Sequence, residues 1–164
     1  MAEGKPLDMT TDTAIEPGEL EAILIDQGVE LAGGDILLLR FGWTAWYERA
    51  DQATRDRVPA MGDEPTPGLS QSEAMAEWLW DRRVAAVVGD NPGVERYPAD
   101  PADLDRFLHY RLIAFLGMAM GELFDLERLA DDCATDRVYE GLFTAAPLNK
   151  RGGSGSTANA IAMK

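Results

Sequence analysis

The run VAAVVGD, residues 84 to 90, sets five apolar residues, three of them valine, between Arg83 and the Gly89–Asp90 pair. It is short, β-branched and bounded by polar residues, which predicts a buried strand. Directly before it, SQSEAMAEWLWDRR predicts a helix: Ser70 and Glu73 have the S-x-x-E spacing of a capping box, with Trp78 and Leu79 buried. The same order occurs upstream. EPGELEAILIDQGVEL puts Leu20, Ile23, Leu24 and Gln27 on one helical face and stops at Gly28. GGDILLLRFGW then follows as a second buried strand bounded by glycines. Helices alternating with buried strands specify an α/β domain.

The remaining segments extend this order. Residues 1 to 15 show no period and predict an irregular lead-in, and TAWYERADQATRDR predicts a mainly polar helix. Pro59 to Gly68, with three prolines and two glycines, is a loop. NPGVERYPAD is another. Asp100 can cap the next helix, with Pro101 at its first position and Gly117 at its end. MAMGELF predicts a further buried strand, DLERLADDCA a short helix, RVYEGLFTAAP a strand, NKRGGSGSTAN a glycine-rich loop and AIAMK a closing strand. With no repeat and no long linker, the 164 residues form one domain.

The formal net charge of −14 argues against nucleic acid or an anionic membrane as partner, since both require a basic face. The single cysteine, Cys133, excludes an internal disulfide and a thiolate metal cluster; without a basic neighbour it is not an activated nucleophile. No signal-peptide pattern opens the chain and no apolar run approaches ~18 residues, so the expected location is the cytoplasm.

Two residues invite a chemical reading. His109, the only histidine, lies on the flank of the stripe formed by Leu104, Phe107, Leu108, Leu112 and Phe115, beside Asp105. It is a partly buried structural histidine satisfied by a carbonyl or by Asp105, or it is a functional one. Thirteen residues later, strict alternation places Met118, Met120 and Glu122 on one strand face. A carboxylate there needs a cation, a metal or a hydrogen-bond donor unless it sits at an exposed strand end. The loop RGGSGS lacks the lysine and Ser/Thr order of a phosphate loop, and Ser154 and Ser156 lack the strand–turn–helix setting of a nucleophile. Trp43 and Trp46 read as core residues.

Four blocks, GDILLLRFGW, PGLSQSEAMAEWLWDRRVAAVVGDNPGVE, LHYRLIAFLGMAMGELFDLERLADDCA and FTAAPLNKRGGSGSTANAIAMK, resemble the putative cyclase family in order and spacing. These are metal-dependent hydrolases that include the bacterial kynurenine formamidases (arylformamidases of tryptophan catabolism). The resemblance runs from about Pro6 to Lys164. It implies an α/β fold of swivelling β/β/α type with a mixed, barrel-like sheet. It further implies hydrolysis of a formamide or similar amide or lactone by metal-activated water, with zinc or manganese as the divalent metal. The family's later His and Glu match His109 and Glu122, which would serve as metal ligands and catalytic residues. Their separation is thirteen here and twelve in formamidase-type members.

One departure outweighs that difference. The family motif H-x-G-T-H-x-D-x-x-x-H, which supplies most of the metal ligands, is absent, and a chain with one histidine cannot hold a displaced copy. The 164 residues therefore resemble only the C-terminal half of a family member. The chain is expected to be inactive alone and to associate, either with itself as a homo-oligomer or with an N-terminal partner chain. The alternative is a non-catalytic remnant or partner subunit that keeps the fold without a metal.

Overall fold

A computed structural model describes residues 6–58, 64–99 and 102–164. After a short strand β1 (Ala14–Ile15) the chain enters α1 (Pro17–Gln27). Pro17 opens this helix, and the Glu19 carboxylate accepts the Glu16 N–H at 2.9 Å. As expected, the helix stops where Gly28 turns left-handed at φ 69°, and Leu20 and Leu24 face the core. The strand β2 (Ile36–Leu39) follows, then α2 (Trp43–Arg49) and α3 (Gln52–Arg57). The expected single polar helix is thus two, because the Asp51 side chain accepts the Thr54 N–H and starts a new helix.

The Pro59–Gly68 loop falls partly outside the described residues, and its end pairs as the strand β3 (Gly68–Leu69), parallel to β1. Helix α4 (Glu73–Asp81) is capped by Ser72, whose hydroxyl accepts the Met75 N–H at 3.1 Å. The expected Ser70–Glu73 capping box is therefore corrected: Ser70 instead hydrogen-bonds the Ser72 hydroxyl at 3.0 Å. Met75, Ala76 and Leu79 of α4 are buried, whereas Trp78 is half-buried and donates its indole N–H to Glu21 on α1.

The central sheet is parallel, in the order β2, β4 (Ala86–Gly89), β5 (Ala119–Gly121). The valine-rich run is its middle strand, paired on both edges and buried as expected. β2 and β5 are the outer strands and only half-buried, which corrects the reading of both as buried. The core joins Leu69, Met75, Leu79, Val87, Val94, Leu108 and Leu112. At the far end, α5 (Glu127–Asp136) precedes an antiparallel pair, β6 (Leu142–Thr144) and β7 (Ile161–Met163). Arg40, just past β2, holds α5 through a two-pronged pair with Glu127 at 2.7 and 2.8 Å.

The largest departure lies between β4 and β5. The Asp100–Pro101 cap falls outside the described residues. A 3-10 turn (Leu104–Arg106) ends at Phe107 in extended backbone, and only then does a helical segment begin, becoming a π-helix over Tyr110–Phe115. Its wider turn is visible in the Leu116 N–H, which donates to Arg111 C=O five residues back. Consequently the predicted apolar stripe breaks up: Leu108 and Leu112 are fully buried, but Leu104 and Phe115 are exposed. Gly117, at φ 66°, ends the segment as expected.

Candidate functional site

In an open parallel sheet, side chains gather beyond the carboxyl ends of the strands. Three acidic residues stand there. Asp90 follows β4 and accepts the Phe41 and Gly42 N–H groups, each at 2.7 Å, tying the end of β4 to that of β2. Burial raises its pKa, against the pull of those two hydrogen bonds. Glu122 follows β5 directly. Glu95 lies six residues beyond β4, at the close of the NPGVE loop.

Glu95 is fully buried, and its carboxylate accepts three hydrogen bonds. Oε2 takes the Leu108 N–H at 2.8 Å; Oε1 takes the His109 N–H at 2.9 Å and faces the His109 Nδ1 at 2.6 Å. It thereby caps the helical segment from thirteen residues upstream. On the other side of the ring, His109 Nε2 faces Glu122 Oε1 at 2.8 Å. The imidazole is bracketed by two carboxylates, with its side chain 24% exposed and that of Glu122 36%. Phe107 stacks on the ring, centroids 4.7 Å apart and planes 11° from parallel.

Burial alone would lower the His109 pKa. The hydrogen bonds to Glu122 and then Glu95, with their charges, outweigh it and raise the value to about 9. At neutral pH the ring is therefore an imidazolium that donates from both nitrogens. The same charges, after burial, raise the pKa of Tyr97, whose ring meets Phe107 edge-on at 6.0 Å. Tyr97 also lines a cavity of about 190 Å³ with Trp43, Trp46, Arg57, Thr66 and Pro92.

His109 and Glu122, read as a pair from the sequence, thus converge. Asp105, the proposed structural partner of His109, is not the residue on either ring nitrogen. His109 and Glu122 do not line the aromatic cavity, and in the glycine-rich loop Ser156 accepts the Leu148 N–H and donates to Thr157 C=O. Cys133 is free on α5. Glu95 is the member that sequence reasoning missed. It is one of 29 acidic residues, and nothing local marks it as buried.

An imidazole nitrogen and a carboxylate oxygen are the donor types that zinc and manganese accept. Glu95 spends its oxygens on Leu108 and His109, so it supports the ring rather than adding a ligand. Among the described residues no group of three or more His, Cys, Asp or Glu side chains is placed to hold a metal. The donor chemistry fits as two ligands of a larger set.

A family model described as "Putative cyclase" matches residues 1–96, which include Glu95. Among solved structures, a protein described as a novel cyclase is similar with a TM-score of 0.82 and 35% sequence identity. The likeness covers 99% of this chain and 50% of that one, so the chain spans half the length of the cyclase it matches. No curated protein matches the chain.

Proposed function

Because the chain belongs to the cyclase family, we propose that it supplies His109 and Glu122 as two ligands of a metal-dependent hydrolytic centre. The proposed substrate is a formamide or similar amide or lactone, as in arylformamidases. The observation that carries this reading is the 2.8 Å approach of His109 Nε2 and Glu122 Oε1 at the carboxyl end of the parallel sheet.

A bound zinc or manganese ion would supply an activated water at neutral pH. The chain's own part is to hold the donors. Glu95 keeps its place on Nδ1, leaving Nε2 as the nitrogen that can give up its proton to bind. Carboxylate support on the second ring nitrogen is the usual setting of a metal-binding histidine. Glu122, at the strand end and partly exposed, can turn from the ring toward a shared cation. A catalytic zinc site generally uses three protein ligands, so the remaining donors must come from outside these two residues.

One observation favours a second reading, a non-catalytic member that keeps the fold without a metal. Glu95, His109 and Glu122 already satisfy one another. Calorimetry separates the two. The purified chain alone is expected to bind zinc or manganese no tighter than micromolar. With a polypeptide carrying the H-x-G-T-H-x-D motif, it should bind metal stoichiometrically and hydrolyse an aryl formamide. Failure to bind metal in that mixture would leave the second reading.

A further inference from the structure

We propose that Glu95 is a positioning residue that fixes the rotation of the His109 ring, so that Nε2 alone is presented to Glu122. The purpose of that aim rests on the ligand reading of His109 and Glu122; the aim itself rests on geometry.

Three features beyond the hydrogen bond hold the carboxylate in place. Val94, immediately before Glu95, is fully buried yet has φ 58°, a left-handed conformation that a β-branched residue rarely adopts. A three-residue turn closes around it, the Glu95 N–H donating to Gly93 C=O at 2.5 Å. Such strain persists only where the surroundings over-determine it. They do so here. Leu69 of β3 takes the loop from both sides: its N–H donates to Val94 C=O at 2.9 Å, and its C=O accepts the Arg96 N–H at 2.9 Å. Gly68 packs so closely that a Cβ there would lie 2.3 Å from the Glu95 carbonyl carbon. The chain therefore tolerates an unfavourable turn and a contact open only to glycine, and both point one buried carboxylate at one nitrogen.

Capping alone does not require this. A helix start is usually capped by its own Ser, Thr, Asp or Asn, and bonds to Leu108 and His109 N–H would satisfy it. The third bond, to the Nδ1 at 2.6 Å, is the shortest of the three and the one that a cap does not explain.

Nitrogen-labelled NMR of the full chain tests the proposal, since the ring signals of the only histidine need no assignment. In the wild type a protected, slowly exchanging Nδ1–H is expected. Glu122→Gln should leave it in place, whereas Glu95→Gln should lose it, with near-ultraviolet circular dichroism confirming that the variant is folded. An Nδ1–H signal that survives Glu95→Gln, or is missing in the wild type, overturns the proposal. If Glu95→Gln does not fold, the other two proteins decide: an Nδ1–H lost with Glu122→Gln overturns the proposal and one retained supports it. Failure of the metal reading is seen separately, as absent metal uptake with the ring signals unmoved.

Discussion

At the scale of single residues, His109 draws its partners from both directions along the chain, Glu95 fourteen residues before it and Glu122 thirteen after. Two acceptors demand two donors, so the ring gains a proton. Its pKa is raised from 6.5 to about 9, and the sign of the linkage follows. A histidine whose folded value is raised contributes stability that is complete below 6.5 and is lost as the pH rises through about 9. Urea unfolding should therefore show a midpoint that falls across this window in the wild type and much less in Glu122→Gln. An NMR titration of the ring should give a midpoint well above 6.5, lowered by Glu122→Gln; an ordinary midpoint in the wild type would contradict the bracketed geometry. Gly68 offers a test on the other side of Glu95. Because the atoms that a Cβ would meet are backbone, Gly68→Ala should cost ~1–3 kcal/mol or more, measured by chemical denaturation.

Elements were legible where local chemistry and packing agreed. Gly28 and Gly117 stop their segments in left-handed backbone, as glycine after an apolar helical run implies. The valine-rich run is a strand because its side chains crowd a helix and pack well on a pleated surface. The cap of α4 lies two residues beyond the expected Ser70, since Ser70 and Ser72 both offer a hydroxyl and only the path of the chain out of β3 decides between them. Ser72→Ala is expected to cost about 1 kcal/mol. For a chain of this size that lowers the melting temperature by roughly 2–4 °C. Glu73→Gln, which touches no cap, should change it far less; equal losses would restore the Ser70–Glu73 box. The π-helix was not legible at all. The turn that leads into it is capped by a carboxylate from a distant loop, and its wider turn defeats any pattern counted at helical spacing.

Across the whole molecule, apolar side chains stand on the surface in numbers that a net charge of −14 does not conceal. Phe115 is 77% exposed, and Leu142, Leu148 and Ile161 more than half. Among the described residues β2 is an outer strand of the parallel sheet, with one edge of the ILLL run unpaired there, whereas VAAVV is enclosed between two neighbours. Edge association should therefore proceed through β2 and the exposed C-terminal pair. Sedimentation at tens of micromolar is expected to show oligomers, and a clean monomer would refute this. No helix among the described residues is long and apolar enough to cross a membrane.

The α/β class, the buried middle strand and the glycine stops were available in the sequence by itself, and the resemblance to the cyclase family paired His109 with Glu122. Periodicity, glycine stops and the lengths of a helix and its returning strand are local quantities. They set His109 before the Gly117 stop and Glu122 after it, and the tertiary structure brings the two side chains to 2.8 Å. Only the tertiary structure decided that Glu95 is the third member. Its role depends on β3 pressing against a loop from across the fold and on a left-handed valine that no propensity favours. A buried carboxylate is identified by what surrounds it, and those surroundings are assembled from segments that are distant in sequence.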